Sequence, residues 1–539
     1  MRNLNLNRRD VLKGAATMAA YSIMPRSVFS QDAAAPVVET AAGKVRGKVE
    51  KGVYLFKGIP YGQSTGGKRR FLPALAPQPW TGVKDCLDFP PTSAQMGAAL
   101  GETGSVITNE DSLGLNVWTT TLDKTAKRPV MVWFHGGGYE TGSGSRPSYD
   151  GLNLARNQEV VLITLNHRLN IFGYLYLGGI AGAEYASSGN CGQLDLVLAL
   201  QWVRQNIAAF GGDPGCVTIY GQSGGGGKTS TMTAMPAAKG LFHRAIPQSG
   251  AMPYIATPEQ AHQSAEMLLG KLQLDRSNWQ RMLDMPAAQL LQAYESLNGT
   301  QPFSHHSRML WAPVVDGTVL HSQPYEPGAP LISADVPMMI GTCRTELTAF
   351  KPPSLIHDGN VAEQVADTTP MTMEQAKSLV EAYRSDHPDV SDYELYALIV
   401  SDRIFRMVSI ETANHKAAQH RAPVYLYRFD WRNPTGNGMK MSPHSSEHPF
   451  VFRHVDEVPD QVGTGADLDP LQDAISGAWV AFARTGNPNH PKLPHWPAYT
   501  EAAGATMLFD SVCRAVNRPD PGDIVAQNQL PLYQMTKGA

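Results

Sequence analysis

The sequence predicts an α/β fold, because two hydrophobic runs that are typical of buried strands each lead directly into a glycine-rich turn. Residues 217–220 (VTIY) precede the sequence GQSGG at 221–225, and a helical pattern follows. Residues 129–134 (PVMVWF) precede the sequence HGGGY at 135–139. Turns of this kind lie above the carboxyl edge of a sheet, where α/β proteins carry their functional groups. We therefore expect a functional site at that edge.

Length and composition exclude several classes of function. The chain has 539 residues, 42% of them hydrophobic, which is enough for one large domain or for two or three ordinary ones. The formal net charge is −3 and no long basic run occurs, so nucleic acid is not expected as a partner. No stretch approaches the roughly 18 consecutive apolar residues of a membrane span. The sequence does not indicate an oligomeric state.

The amino terminus has the pattern of an export signal. The sequence NRRDVLK at 7–13 contains a twin arginine, and a short alanine-rich apolar stretch follows at 14–24. We predict a Tat-type signal peptide over residues 1–30, and hence a periplasmic or secreted protein; a disordered basic start is the alternative. Five widely spaced cysteines suggest no disulfide framework, which agrees with folding in a reducing cytoplasm before export.

The sequence GQSGG has the G-x-S-x-G form of a nucleophile elbow. Such a turn holds a serine in strained backbone geometry between a strand and a helix, and it needs small neighbours. The pentapeptide alone also occurs by chance in a chain with 50 glycines, so the flanking strand and helix carry the argument. We predict that Ser223 is a catalytic nucleophile.

The sequence HGGGY supplies the second half of a catalytic site. Glycines at the end of a strand let backbone N–H groups turn towards a common point, where they can stabilise an anion that develops on a carbonyl oxygen. We predict that the amides of Gly137, Gly138 and Gly224 form an oxyanion hole. An ordinary glycine-rich loop is the alternative for this motif alone, but two such loops in one chain favour catalysis.

An acid and a histidine should follow the serine in chain order, each on a loop after a strand. Two further strand-like runs lie at residues 336–340 and 424–429. The first carboxylate after the earlier run is Glu346, which we predict to be the acid. The polar stretch after the later run contains His444, which we predict to be the general base. His448 and His454 lie close by, and the strand pattern alone does not choose among the three.

Four longer segments point to one family. They are FKGIPY at 56–61, EDSLGLNVW at 110–118, GNCGQLD at 189–195 and FGGDPGCVTIY at 210–220. With these motifs, the chain from about residue 37 to about residue 499 resembles the type-B carboxylesterases, the cholinesterase-like branch of the α/β-hydrolases. Glu346 falls on the family's G-x-N-x-D-E acid position. His444 falls on its H-G-x-E position, with Glu447 in register, so the resemblance selects His444 over His448.

The resemblance implies an α/β-hydrolase fold with a mostly parallel, doubly wound central sheet, N-terminal antiparallel strands and a helical cap region. We place the antiparallel strands within residues 37–88 and the parallel sheet over 115–250. Helical patterns predict cap segments around 257–308 and 372–420, with N-caps at Thr257, Thr372 and Ser391. Because no flexible linker interrupts the chain, we expect residues 31–539 to form a single domain.

The resemblance also implies the reaction. A Ser-His-Glu triad would hydrolyse small to medium, neutral carboxylic esters through an acyl-enzyme, with a small-molecule ester as the partner. No metal or organic cofactor is needed, and no C-x-x-C, H-E-x-x-H or P-loop pattern occurs. Hydrolysis of amides, carbamates or thioesters is the nearer alternative. A non-catalytic binding module on the same fold is a remoter one, because all the catalytic motifs are retained.

Several positions depart from the family's pattern. Ser112 stands where a cysteine of the first disulfide is usual, and the partner cysteine is also absent. Gln222 replaces the glutamate before the nucleophile. Four glycines at 224–227 replace an alanine-rich helix start, which suggests close backbone packing or room for substrate. We expect Lys228 to pair with nearby acids, with a position facing the site as the alternative. Cys343 replaces an asparagine, and the sequence offers no physical reason for it.

Overall fold

The computed structural model describes residues 35–96, 108–297, 310–356 and 359–534. The predicted signal peptide at 1–30 lies outside the described residues. The strands are β1 (Val37–Thr40), β2 (Gly43–Arg46), β3 (Lys48–Glu50), β4 (Val53–Pro60), β5 (Val83–Asp85), β6 (Thr92–Ser93), β7 (Thr108–Asn109), β8 (Gly114–Thr119), β9 (Arg128–Phe134), β10 (Val161–Leu165), β11 (Gly212–Gln222), β12 (Arg244–Gln248), β13 (Met338–Cys343), β14 (Val424–Phe429), β15 (Ala505–Phe509) and β16 (Arg514–Asn517).

The helices of the described residues include several within the two segments that the sequence predicted to be helical. The helices are α1 (Leu152–Gln158), α2 (Asn170–Tyr174), α3 (Cys191–Asn206), α4 (Gly224–Met232), α5 (Pro258–Lys271), α6 (Ala287–Glu295), α7 (Val361–Thr368), α8 (Met373–Asp386), α9 (Asp392–Ser401), α10 (Met407–Ala417), α11 (His448–Phe452), α12 (Pro459–Val462), α13 (Leu468–Thr485) and α14 (Pro521–Gln527). A turn of π-helix, Asp402–Arg406, joins α9 to α10.

Within the described residues, eleven strands form one sheet in the order β16-β15-β14-β13-β12-β11-β9-β10-β8-β4-β3. The seven strands from β10 to β15 along this order pair in parallel. Strands β3, β4, β8 and β16 pair antiparallel at the two ends. The predicted α/β-hydrolase fold, with its mostly parallel central sheet, is thereby confirmed.

The predicted bounds of the parallel sheet are wrong at both ends. Strand β8, which contains Leu115, runs antiparallel to β10 and to β4. The parallel part begins at β9 and continues far beyond Gly250, to β15. In the N-terminal region β5 pairs in parallel with β2, although the other strands there are antiparallel as expected. The direction of a strand depends on its connections and not on its own residues, so hydrophobic runs do not reveal it.

Both faces of the sheet are covered, as a doubly wound fold requires. In β9 the side chains alternate between two hydrophobic clusters: Val130 and Val132 join the cluster that contains α3, while Met131 and Trp133 join the cluster that contains α1 and α13. This arrangement explains why β9 reads as a continuous apolar run. With both faces buried, catalytic groups can reach solvent at the ends of the strands.

The helices of the predicted cap begin where the sequence signals place them. The side chain of Thr257 accepts from the amide of Gln260 at the start of α5, and Thr372 makes the equivalent capping box before α8. Ser391 accepts from the amide of Glu394 at the start of α9. These caps satisfy amides that would otherwise lack partners at a helix start.

The five cysteines are free thiols. At the position of the family's first disulfide, the buried hydroxyls of Ser93 and Ser112 lie 2.9 Å apart, so a hydrogen bond joins the two segments. None of the helices in the described ranges is long and apolar enough to cross a membrane.

Candidate active site

Ser223 lies at the sharp turn between β11 and α4. Its backbone has φ 58° and ψ −126°, a strained conformation for a residue with a side chain. The Ser223 amide donates to the carbonyl of Gln248 at 2.9 Å, which ties the turn to the end of β12. The residue is half-buried. This is the geometry of a nucleophile elbow at the carboxyl edge of the sheet.

The glycines after Ser223 allow the helix start to touch the glycine loop. A Cβ atom on Gly224 would lie 1.8 Å from the carbonyl oxygen of Gly138, and one on Gly225 would lie 1.9 Å from that of Phe134. Neither position has room for a methyl group. Of the two readings of the glycine run, close backbone packing is therefore the one that the structure supports.

The loop after β9 presents free amides next to the elbow. Gly137 and Gly138 have φ values of +92° and +63°, which favour glycine. The carbonyl of Gly137 accepts from the amides of Glu140 and Thr141, which stabilises the turn. Within the described ranges, the amides of Gly137, Gly138 and Gly224 donate no hydrogen bond to the protein. These N–H groups are available to a ligand.

The structure brings His444 and Glu346 into contact. His444 Nδ1 lies 2.5 Å from Glu346 Oε2, and the His444 amide donates to the Glu346 carbonyl at 3.2 Å. The Glu346 side chain is completely buried, and its second oxygen accepts from the amide of Cys343 at 2.7 Å. Because a carboxylate only accepts hydrogen bonds, Nδ1 carries a proton.

The neighbouring histidines lie in different surroundings. His448 is buried, with its ring centroid 5.3 Å from that of Trp133 and 5.6 Å from that of Tyr149. Burial lowers the pKa of His448 to about 3, so this imidazole stays neutral. His454 is also buried, and burial lowers its pKa too. Neither ring has the Glu346 contact that His444 makes.

Gln222, which the sequence left unexplained, contacts His444 directly. Its amide Nε2 lies 3.0 Å from His444 Nε2, and its Oε1 accepts from the hydroxyl of Ser445 at 2.9 Å. Ser445 was not predicted as a site residue. It follows His444 directly in the chain, and its φ of +72° is the strained feature that marks it in the structure.

A second buried carboxylate supports the acid loop. Glu447 Oε2 accepts from the thiol of Cys343 at 3.2 Å, and Glu447 Oε1 accepts from Gln248 at 3.0 Å. Burial and the neighbouring Glu346 raise the pKa of Glu447. Burial and both carboxylates raise the pKa of the Cys343 thiol, which keeps it protonated as a donor. Cys343 thus bridges the two carboxylates through its amide and its thiol.

Gln248 is a second residue of the site that the sequence analysis did not predict. It accepts from Trp479 Nε1 at 3.0 Å with its side chain and from the Ser223 amide with its carbonyl. A glutamine at the carboxyl end of a hydrophobic strand is the sequence signal that could have singled it out.

No cluster of three or more His, Cys, Asp or Glu side chains in the described part of the chain is placed to hold a metal ion.

The prediction that Lys228 pairs with acids is wrong. Its side chain is fully buried, and Nζ donates to the carbonyl of His135 at 3.1 Å and lies 5.5 Å from the centroid of the Tyr139 ring. No carboxylate in the described part of the chain contributes to its pKa shift, which burial alone causes. Helix α4 packs against strands β9, β11 and β12 of the central sheet, and every residue of this helix is buried. Burial lowers the pKa of Lys228 to about 7.

The fold and the site define the class of protein. Strands β11, β13 and β14 are parallel, so the segments that follow them meet at one edge of the sheet. There His444 contacts the buried Glu346 and also Gln222, the residue directly before the elbow serine. A glycine loop with free amides adjoins them. This is the arrangement of a serine hydrolase of the α/β-hydrolase fold.

The chain belongs to the carboxylesterase family, whose model matches residues 34–519. It is 35% identical over 495 residues to the para-nitrobenzyl esterase of Bacillus subtilis (strain 168), an alignment that covers 90% of this chain and 96% of that one. It is 33% identical over 511 residues to the phenmedipham hydrolase of Pseudarthrobacter oxydans, covering 90% and 98%.

Solved structures agree. Carboxylesterase EST55 of Geobacillus stearothermophilus at pH 6.2 superposes with a TM-score of 0.79 and 35% identity, over 91% of this chain and 99% of that one. An esterase from Clostridium hathewayi, described as able to hydrolyse aliphatic aromatic polyesters, has a TM-score of 0.76 and 34% identity, over 92% and 98%. The protein is therefore a type-B serine carboxylesterase, an enzyme that hydrolyses carboxylic esters.

Proposed function

We propose that Ser223, His444 and Glu346 hydrolyse the ester in two steps. Ser223 Oγ attacks the ester carbonyl while His444 Nε2 takes its proton, and the alcohol leaves from an acyl-enzyme. Water that is activated by the same imidazole then releases the acid. The observation that carries this proposal is the 2.5 Å contact between His444 Nδ1 and Glu346 Oε2, which orients the imidazole with Nε2 as the acceptor.

The amides of Gly137, Gly138 and Gly224 would hold the oxyanion of both tetrahedral intermediates. These N–H groups donate no hydrogen bond within the described ranges, which supports this role, as does the close approach of Gly138 to the helix start. Donors that are already oriented stabilise developing charge without reorganisation at the moment of reaction.

We propose small to medium, neutral esters as substrates. The rings of Phe350 and Phe405 lie 5.2 and 5.0 Å from the His444 ring, so apolar surface borders the base. The likeness to a para-nitrobenzyl esterase supports an aromatic ester as the first substrate to test. Phenmedipham is a second candidate, because the chain is 33% identical to a phenmedipham hydrolase.

Ser223→Ala tests the nucleophile. Loss of the nucleophile of a triad lowers kcat by about 10⁶, whereas a half-buried hydroxyl adds little to stability. We expect the variant to unfold at the wild-type temperature and to lack the burst of nitrophenol that an acyl-enzyme releases from a nitrophenyl ester. A variant that kept a tenth of the wild-type rate would show that the nucleophile lies elsewhere.

We also propose that the protein is exported in a folded state to the periplasm or beyond. The support is the twin arginine at Arg8 and Arg9, followed by an apolar stretch. The five free thiols agree with folding in a reducing compartment.

A further inference from the structure

The side chain of Gln222 forms a hydrogen bond with Nε2 of His444, the nitrogen that takes part in the proposed reaction. Gln222 Nε2 lies 3.0 Å from His444 Nε2, the atom that would accept the proton of Ser223. Gln222 is the last residue of β11 and directly precedes the nucleophile, so its backbone is held by the central sheet. The contact therefore joins two of the elements on which the proposed triad depends.

The hydrogen-bond directions around His444 follow from its partners. Glu346 Oε2 accepts from Nδ1, so the neutral imidazole has its lone pair on Nε2. Only the N–H₂ end of an amide can donate to that lone pair. We assign the amide orientation from this network, since oxygen and nitrogen are not distinguished by shape.

Ser445 supports the same orientation from the other end of the amide. Its hydroxyl donates to Gln222 Oε1 at 2.9 Å, and the residue belongs to the loop that carries His444. With this donor, both ends of the Gln222 amide and both nitrogens of the imidazole have partners. The network is complete only when His444 is neutral and accepts at Nε2.

We propose that Gln222 is a positioning residue that keeps the resting general base neutral, with its Nε2 lone pair directed at the elbow; this inference rests on the proposed role of His444. When substrate binds, the hydroxyl of Ser223 replaces the amide of Gln222 as the hydrogen-bond donor to His444 Nε2. The glutamate that the family usually carries here offers acceptors alone. At this distance a carboxylate would raise the pKa of the imidazole, so a larger fraction of the base would be protonated at a given pH.

Other charged groups near the base are the same in the enzyme and its variants. His444 contacts Glu346 on the acid loop, and Glu447, which accepts from the Cys343 thiol, interacts with Glu346. His448 stays neutral in its aromatic surroundings. A change of charge at position 222 therefore alters the pKa of the base while the other neighbouring charges stay the same.

The test compares two substitutions at position 222. The pH dependence of kcat/KM is measured from pH 5 to 9 on a nitrophenyl ester for the wild type, Gln222→Glu and Gln222→Met. Gln292→Glu, on the exposed face of α6, is the control that changes the net charge equally. We expect Gln222→Glu to raise the acid-side midpoint by roughly 1 to 3 pH units. We expect Gln222→Met to raise it by less than one unit, and Gln292→Glu to leave it unchanged.

The outcomes separate this proposal from the proposed triad. A residue that only fills space would lower the plateau in both Gln222 variants and leave the Gln222→Met midpoint at the wild-type value, whereas loss of an amide donor to His444 raises that midpoint. If the Gln222→Glu midpoint stayed within 0.3 pH units of the wild type, the positioning role would be refuted. His444→Ala is assayed in parallel. An active His444→Ala would overturn the triad itself, whereas an inactive one beside an unshifted Gln222→Glu profile would overturn the positioning role alone.

Discussion

Gly224→Ala tests the contact between the elbow helix and the glycine loop. The added methyl carbon would lie 1.8 Å from the carbonyl oxygen of Gly138, 2.4 Å from its carbonyl carbon and 2.6 Å from its Cα. Carbon and oxygen atoms that do not bond approach to about 3.3 Å. The loop must therefore retreat by roughly 1.5 Å, and it carries two of the three proposed oxyanion donors.

For Gly224→Ala we expect a large decrease in kcat and a moderate decrease in the free energy of unfolding. A displacement of about 1 Å at the reacting centre costs roughly 10²-fold, and loss of one oxyanion donor costs about 10² to 10³. We expect kcat for Gly224→Ala to fall by about 10² to 10³. KM should change less, because the donors act mainly on the transition state. Overpacking of this kind lowers the free energy of unfolding by about 1–3 kcal/mol.

The assay is steady-state hydrolysis of a nitrophenyl ester, with thermal unfolding measured on the same samples. Gly270→Ala is the matched control: Gly270 lies in α5, and apart from its chain neighbours and the backbone of its own helix no described heavy atom lies within 4 Å of the added methyl group. This control should keep full activity and gain up to about 1 kcal/mol from helix propensity. If Gly224→Ala kept more than a third of the wild-type kcat, the contact would not limit the position of the loop.

Three further predictions concern the base, the buried lysine and export. His444→Ala should lose turnover on the scale of Ser223→Ala, while His448→Ala should keep most of it; steady-state kinetics that gave the reverse would move the base to His448. Since the folded pKa of Lys228 lies near 7 and its unfolded value near 10.5, the unfolded chain binds more protons between these values. Stability then rises with pH, by about 2–3 kcal/mol from pH 7 to 9, and Lys228→Met should abolish this rise in unfolding curves; an unchanged slope would mean that Lys228 does not titrate there. Replacing Arg8 and Arg9 with lysine should strand precursor in the cytoplasm on fractionation, and normal export would remove the Tat proposal.

The sequence predicted the elements that depend on neighbouring residues. The turn around Ser223 is specified by the strand before it, the helix after it and the small residues on both sides, so it could be recognised locally. The N-cap at Thr257 and the capping box at Thr372 were predicted for the same reason, since a window of four residues contains the whole signal. The parallel sheet was expected from the family resemblance, and the direction of β8 was not.

The choice of histidine needed more than the local pattern. His444 and His448 lie four residues apart after the same strand, and only the resemblance to a family separated them. In the folded protein the difference is physical: His444 reaches Glu346, which is 98 positions away in the chain, while His448 packs against Trp133 and Tyr149. The catalytic roles of these residues stay predictions until the variants are measured.

By itself the sequence determined the fold class, the family and the residue types that the reaction requires, because each of these is written in short, contiguous motifs. Tertiary structure alone decided what Lys228, Gln222 and Cys343 do. Lys228 was expected to pair with nearby acids, yet its helix packs against the sheet, its side chain is fully buried, and Nζ donates to the backbone carbonyl of His135. Gln222 and Cys343 gain their partners from loops more than 100 residues away. Burial and long-range contact are properties of the packed chain, so no window of sequence contains them.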